Sequence, residues 1–340
     1  IIGVPKETKP GEWRVGLTPG AVGSLVRAGH RVLVEHGAGV AAGWDDAAYR
    51  QAGAAGAAGA TGVAGARIVS ASEAWKGEWV VKVKEPQPSE YRFFRPGLTL
   101  FTFLHLAANR PLARSLKKSG ITAIPYEAVQ GNGTLPLLAP MSEIAGSLAP
   151  LVGANYLRKD LGGKGTLLAA VGGGRPGRVT VLGAGHVGSR AVQGAHGLGA
   201  EVFLYDIDPE KLSRVKGQYP DRLEVLSKEP DLASILKETD LLIGAVLKPG
   251  ARAPRIVSKV MVRSMEPGSV IVDVAVDQGG CVETIRPTTF KNPVYEKYGV
   301  LHYGVTNIPS LVPRTASEAL SAATLPFLLN PLLIKLVEDS

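Results

Sequence analysis

The stretch Val179-Thr180-Val181-Leu182-Gly183-Ala184-Gly185-His186-Val187-Gly188 constrains the chain more than any other. A short apolar strand runs straight into G-x-G-x-x-G, and an amphipathic stretch to Leu198 follows. The glycine spacing alone is common. With a buried strand before it, a helix behind it and an acid closing the next strand, Glu201 to Asp206, it specifies a βαβ unit built to hold a dinucleotide. Gly183 permits the tight turn, Gly185 lets backbone N–H groups reach a pyrophosphate, and Gly188 lets helix and strand pack closely. Asp206 can accept hydrogen bonds from the adenosine ribose hydroxyls and would repel a 2′-phosphate, so NAD is expected rather than NADP. Arg175, Arg178 and Lys211 are the cations that could reverse this preference if the loops brought one of them to the ribose.

The same strand–helix rhythm fills the rest of the chain. Strands are expected at Ile1 to Val4, Arg31 to Glu35, Trp79 to Val83, Leu98 to Phe103 and Ile121 to Pro125. A helix capped by Thr18 and opened by Pro19 lies between the first two. A helix from Met141 to Tyr156 leads, through glycine-rich turns, into a second series: Arg178 to Leu182, Glu201 to Asp206, Leu241 to Ala245 and Val270 to Val274. The fold class is therefore α/β, with two domains, each a mostly parallel sheet flanked by helices, one of them a Rossmann domain. The 340 residues suit two such domains. The Ala/Gly run from Gln51 to Ala66 has little side-chain bulk and reads as a surface insertion. The stretch from Pro313 to Val337 reads as a helix returning to the first domain.

Composition excludes several classes. The formal charge is +8, yet the basic residues are scattered without a run of five like charges, which disfavours nucleic acid. A basic surface that attracts anionic ligands accounts for the same charge. Cys281 is the only cysteine, so no intramolecular disulfide or cysteine metal cluster can form, and a reducing compartment fits. The six histidines are not at ligand spacing, so no metal is expected. HExxH, GxSxG, Walker and EF-hand patterns do not occur. No apolar stretch is long enough to span a bilayer and no signal sequence opens the chain, so a cytoplasmic location without a membrane partner is expected.

Polar residues at the ends of apolar strands are the candidates for chemistry, because α/β folds bind ligands there. Lys82 and Lys84 share a face just before Pro86. His105 ends Phe101-Thr102-Phe103-Leu104-His105, and imidazole is the side chain type suited to proton transfer near neutral pH. Asp277 follows a buried strand and precedes Gly279-Gly280, where it could face a ligand or cap a turn. Arg14 could clamp a carboxylate through two N–H groups or form a surface ion pair.

Six further blocks carry a resemblance: IGVPKE at Ile2 to Glu7, RVGLTP at Arg14 to Pro19, VKVKEP at Val81 to Pro86, LFTFLHLAA at Leu100 to Ala108, LPLLAPMSE at Leu135 to Glu143, and VDVAVDQGG at Val272 to Gly280. Together with the glycine motif the chain resembles the L-alanine dehydrogenase family over almost its whole length. The resemblance implies interconversion of L-alanine with pyruvate and ammonia by NAD. It places pyruvate binding on Arg14 and Lys84, and proton transfer on His105 and Asp277. Cofactor binding falls on Ser142, Gly183, Gly185, Gly188, Asp206, Lys211, Leu247 and Asn307. Residues 1–135 with 308–340 form the substrate domain on this reading and 136–307 the nucleotide domain. A homo-oligomer, a hexamer by the family's habit, is expected.

The chain departs from the family's Asn-Met-Pro-Gly at Asn307-Ile308-Pro309-Ser310, near the expected nicotinamide, and its tail stops short of the family's last helices. The nucleotide-binding component of proton-translocating transhydrogenase is the first rival. That family lacks the His of the LHLAA block and the Asp of the DQGG block, and this chain has both. A sister dehydrogenase for another amino acid and a non-catalytic NAD-binding protein are the others.

Overall fold

The computed structural model describes every residue except 58–64, 107–108, 132, 220–222, 247–251 and 337–340, with backbone alone for 55–57 and 230. The chain divides into two compact units, one of Ile1–Met141 with Pro309–Ser340 and one of Ser142–Ile308.

The first unit is built on β1 (Ile2–Val4), α1 (Pro19–Arg27), β2 (Arg31–Glu35), α2 (Asp46–Ala57), β3 (Gly65–Val69), α3 (Ala71–Ala74), β4 (Trp79–Val81), β5 (Thr99–Thr102), α4 (Arg110–Ser119), β6 (Thr122–Pro125) and the short β7 (Val129–Gln130). Its sheet runs β3-β2-β1-β4-β5-β6, with every pair parallel. The sequence cues act locally: the Thr18 hydroxyl accepts from Ala21 N, and Pro19 opens α1, whose Val22, Leu25 and Val26 are buried.

The Ala/Gly run is not the surface insertion its composition suggests. Gln51 to Ala57 are the second half of α2, and Gly65-Ala66 begin β3; residues 58–64 lie outside the described part. A Cβ on Gly53 would collide with the Ala66 methyl, and one on Gly23 of α1 would sit 3.2 Å from Ala52 O. Small residues here let α2 lie close against α1 and β3, so the missing bulk is the packing requirement itself.

Helix α5 (Ala139–Tyr156) carries the division between the units at its first turn. The second unit then contains β8 (Arg178–Leu182), α6 (His186–Gly197), β9 (Glu201–Tyr205), α7 (Pro209–Lys216), β10 (Leu223–Leu226), α8 (Glu229–Ile235), β11 (Leu241–Gly244), α9 (Lys259–Ser264), β12 (Val270–Asp273), β13 (Val294–Lys297) and β14 (Val300–Tyr303). The sheet order is β10-β9-β8-β11-β12-β14-β13, parallel except for the β13–β14 hairpin. That hairpin turns on Tyr298 (φ 57°) and Gly299 (φ 76°), two left-handed residues, as the twist of a two-residue loop demands. Strands β11 and β12 are buried along their whole length, which is why they read as continuous apolar runs rather than alternating ones.

The chain returns to the first unit with α10 (Pro313–Leu329) and β15 (Lys335–Leu336), which pairs with β7. Ser317 and Ser321 on α10 accept from Val15 N (3.0 Å) and Thr18 N (2.9 Å). The helix stops at Leu329 instead of reaching Val337, because Asn330 precedes Pro331 and is driven out of helical geometry (φ −138°, ψ 87°).

Each sheet therefore has a point where the strand order reverses, between β1 and β4 in one unit and between β8 and β11 in the other. In open parallel sheets ligands bind beyond the carboxyl ends of the strands at that point.

Candidate active site

In the second unit the reversal point is the glycine loop. Gly183 sits at φ 98°, in the left-handed region, and a Cβ there would lie 2.9 Å from Ala245 O. A Cβ on Gly188 would be driven into the Gly183 carbonyl oxygen. These two glycines are demanded by the protein's own backbone. Gly185, the N-cap of α6, differs: its φ of −77° suits any residue, and a Cβ there meets nothing within 4 Å. The protein leaves that space open where the unpaired N–H groups of the first turn of α6 point outward, which fits a diphosphate.

Asp206 follows β9 and holds the loop: Oδ2 accepts from Ala184 N (2.7 Å) and Oδ1 from Asp208 N (3.0 Å). Both oxygens keep acceptor capacity for ribose hydroxyls. Arg175 and Arg178 are at the other end of the sheet. Arg175 pairs with Asp240 (2.9 Å) and Arg178, the first residue of β8, with Glu201 (2.7 Å) and Glu238. Three residues of strand lie between Arg178 and Leu182, so both arginines stand a strand's length from the Asp206 end. Lys211 is in the first turn of α7, paired with Asp208 (3.1 Å) and half-exposed. Ser142 stands one turn before Gly146. A Cβ on Gly146 would strike Val187 O, and one on Gly194 would lie 2.7 Å from Pro150, so α5 and α6 run side by side in the same direction. That places Ser142 level with the N-terminal end of α6. Asn307, four residues beyond β14, adopts φ 64°, a left-handed conformation asparagine tolerates. Leu247 lies outside the described residues.

Asp277 lies in a short helical turn, Val274–Gln278, directly after β12, and is exposed. The turn is anchored by buried Asp273, which accepts from Ala275 N (2.9 Å), Cys281 N (2.8 Å) and Val282 N (3.2 Å). Burial pushes the Asp273 carboxyl up to about 6 against those three hydrogen bonds.

In the first unit the edge beyond β1, β4 and β5 is crowded with charge. Arg14 is only 2% exposed, so it is no surface ion-pair residue. Glu12 grips one side of its guanidinium, Nε at 2.7 Å and Nη2 at 2.6 Å, and Nη1 meets the Met141 sulfur at 3.0 Å. The plane of the fork is thereby fixed. Glu12 is held in turn by the Arg14 backbone N–H (3.0 Å), and Ser310, one of the two departures from the family pattern, donates to Gly11 O (2.7 Å) and accepts from Trp13 N (3.1 Å). The Arg14 segment lies against the end of β4: a Cβ on Gly16 would be 2.7 Å from Val81 O.

Lys82 and Lys84 follow β4, both buried, and Lys82 sits in a fully buried ion cluster. Its Nζ lies 3.0 Å from Glu90 and 3.3 Å from Glu7. Burial alone would pull the Lys82 pKa down; the two carboxylates overcome it and raise it. Desolvation pushes Glu7 up to about 7, opposed chiefly by Lys82 and aided by the charges of Glu12 and Glu90. His105 lies three residues past β5 in a left-handed conformation, φ 47°. Glu127, after β6, accepts its backbone N–H at 2.6 Å and lies 3.9 Å from its Nδ1, while the ring stacks parallel to Phe103 at 5.8 Å. Phe103 N donates to Val83 O (3.2 Å), which ties the His105 segment to the Lys84 segment.

The structure thus brings Arg14, Lys84 and His105 to one edge of the first sheet, and Gly183, Gly185, Gly188, Asp206, Asp277 and Asn307 to the corresponding edge of the second. Sequence reasoning missed Glu7, Glu12 and Glu127, the acids that hold these groups. Their signal was present in the acids beside strand ends, Pro5-Lys6-Glu7 and Pro125-Tyr126-Glu127, and in Glu12 two residues before Arg14.

These features define a two-domain α/β protein of the dinucleotide-binding class, with a glycine loop at one sheet edge and a cluster of buried charges at the other. The chain belongs to the alanine dehydrogenase/PNT family: the N-terminal domain of that family matches residues 3–145 and the C-terminal domain residues 149–335. It is 50% identical over 332 residues to the alanine dehydrogenase of Bacillus subtilis (strain 168), a match covering 97% of this chain and 85% of that protein. Among solved structures, an L-alanine dehydrogenase matches with a TM-score of 0.90 at 50% identity, over 96% of this chain and 88% of that one. The transhydrogenase from Sinorhizobium meliloti matches with a TM-score of 0.84 at 26% identity, over 98% and 94%. The family expected from the six sequence blocks is the family found.

Proposed function

We propose that this chain is an alanine dehydrogenase: it converts L-alanine, NAD and water to pyruvate, ammonia and NADH, and runs the reverse reductive amination. The carrying observation is Arg14, a buried guanidinium whose plane Glu12 fixes, in a segment that lies against the end of β4. A small 2-oxo acid offers a carboxylate and a carbonyl oxygen, and a planar fork next to an ammonium is the complementary pair. The 50% identity to the Bacillus subtilis alanine dehydrogenase supports the same substrate.

The residues divide the work. Arg14 receives the substrate carboxylate and Lys84 the oxygen on C2. A dinucleotide held by the second unit would supply the redox chemistry, as the acceptor for the hydride on C2. His105 and Asp277 move the protons as water adds to the resulting imine and the carbinolamine releases ammonia. His105 suits this work because its backbone is pinned by Glu127 while 47% of its side chain stays accessible. On the cofactor side Ser142, Gly183, Gly185, Gly188, Asp206, Lys211, Leu247 and Asn307 are assigned to the dinucleotide. Asp206, at the end of β9 and bonded to the glycine loop, favours NAD. Residues 1–135 with 308–340 serve the substrate and 136–307 the nucleotide. No helix among the described residues is long and apolar enough to cross a membrane. A cytoplasmic homohexamer is the remaining part of the proposal and rests on family resemblance.

The test is NADH formation from NAD with a panel of amino acids, and NADH consumption with 2-oxo acids in the presence of ammonia. Alanine and pyruvate should be the best pair. Preference for another amino acid would replace the substrate assignment. Exchange of hydride between two nicotinamide nucleotides without any amino-acid turnover would favour the transhydrogenase reading.

A further inference from the structure

The Lys84 peptide is held by Glu7, a residue outside the groups assigned to substrate, cofactor and proton transfer. Strand β4 ends at Val81, so the N–H groups of Val83 and Lys84 continue into a buried region where an unpaired donor is costly. Glu7, three residues beyond the end of β1, reaches across the reversal point and takes both: Oε1 accepts from Val83 N at 2.6 Å and Oε2 from Lys84 N at 3.4 Å. On the opposite side Thr102 of β5 donates its hydroxyl to Lys84 O at 3.1 Å. The main chain of Lys84 is thus clamped from both neighbouring strands.

A carboxylate can play this part inside the protein only if its charge is met. Lys82 meets it, 3.3 Å from Glu7, and Glu90 steadies Lys82 from the other side at 3.0 Å. Glu90 is itself tied down by Thr8 Oγ1 (2.8 Å) and Gln87 N (2.7 Å). Of the two lysines in the VKVKEP block, one is therefore spent inside the fold so that a carboxylate can hold the backbone of the other.

We propose that Glu7 is a positioning residue for substrate binding, setting the direction from which Lys84 presents its ammonium to the oxo acid. The proposal rests on the assignment of Lys84 to the substrate given above. An amide at position 7 keeps the shape and one acceptor but turns its NH2 group toward a donor, so it cannot hold both N–H groups. Glu90 remains to balance Lys82.

Glu7→Gln, Thr102→Val and Lys84→Ala are compared with the wild type by steady-state kinetics with pyruvate, ammonia and NADH, by NADH titration and by thermal melting. The expected result for Glu7→Gln is a KM for pyruvate raised at least tenfold, kcat within about threefold, and NADH affinity within twofold. Thr102→Val should raise the same KM by a smaller factor, about threefold. If Glu7→Gln does not fold, Thr102→Val carries the test, and a wild-type KM for pyruvate in it overturns the proposal. A raised KM in Lys84→Ala with an unchanged KM in folded Glu7→Gln overturns the positioning role alone. An unchanged KM in Lys84→Ala shows instead that the substrate assignment is wrong, and the proposal falls with it.

Discussion

The glycine loop allows a separation of folding from binding. A methyl group on Gly188 would be forced into the Gly183 carbonyl oxygen, backbone against backbone, with no flexible side chain to yield. Relief requires α6 to move off β8, an overpacking that typically costs about 1–3 kcal/mol. At roughly 2–4 °C per kcal/mol for a domain of this size, Gly188→Ala should lower the melting temperature by about 2–12 °C. Gly185→Ala should do nothing of the kind, because its conformation (φ −77°, ψ −166°) suits alanine and no atom lies within 4 Å of the added carbon. Its melting temperature should hold or rise slightly, since replacing a glycine in a compatible conformation stabilises by about 0.4–1 kcal/mol. Yet that methyl fills the space in front of the first turn of α6. NADH should therefore bind at least about tenfold more weakly, or roughly 1.4 kcal/mol. Thermal melting and fluorescence titration with NADH on both variants provide the measurement. A Gly185→Ala protein that binds NADH as the wild type does would show that no diphosphate approaches this turn, whatever happens to its stability.

Three further outcomes are expected. Wild-type kcat/KM should favour NAD over NADP, and Asp206→Ser should narrow the ratio; a wild type that prefers NADP would refute the ribose assignment. His105→Ala and Asp277→Asn should each lower kcat by about 10²–10⁴ while NADH affinity holds, the range for a lost acid–base group; near-normal turnover in either variant removes that residue from proton transfer. Arg14→Lys should raise the KM for pyruvate at least about tenfold, and it should also lower the melting temperature, because lysine cannot reproduce the two-point grip on buried Glu12. A variant with lowered stability but unchanged KM would leave Arg14 as a structural partner of Glu12 only.

How far the sequence could be read follows from what kind of information each feature needs. Strands β2 and β8 were legible to the residue because Arg31 to Glu35 and Arg178 to Leu182 are apolar runs bounded by turn residues. Strand β3 was not, because Gly65-Ala66 look like the end of an Ala/Gly tract; its identity depends on parallel pairing with β2, a contact made across α2. Strand β14 was missed for a similar reason: Val300 to Tyr303 includes His302, a polar residue that is tolerated inside because Thr284 Oγ1 and Val300 O meet its two ring nitrogens. The residues proposed to meet the substrate stood out as charges at strand ends. Glu7, Glu12 and Glu127 did not, since a carboxylate's task depends on which distant N–H or cation it meets, and periodicity carries no information about that.

The two sheets solve the same geometric problem with different chemistry, and the ligand's charge explains the difference. Both place a reversal point beyond the ends of their first and fourth strands. A diphosphate is large, and its charge is spread over several oxygens, so backbone N–H groups at a helix end can receive it once glycines clear the approach. On the proposed assignment no buried side-chain cation is needed, and Gly183, Gly185 and Gly188 would serve with Asp206 shaping the turn. A small oxo acid has one carboxylate and one carbonyl, too few atoms to be gripped by a loop, and it must be held by point charges in fixed positions. Holding cations fixed and dry is costly unless each is countered. That requirement accounts for the acids at this edge: Glu12 for Arg14, Glu7 and Glu90 for Lys82, and through Lys82 the backbone of Lys84. An edge that carried Arg14 and the two lysines without those acids would lose either its burial or its cations' positions, and with either the ability to recognise so small an anion.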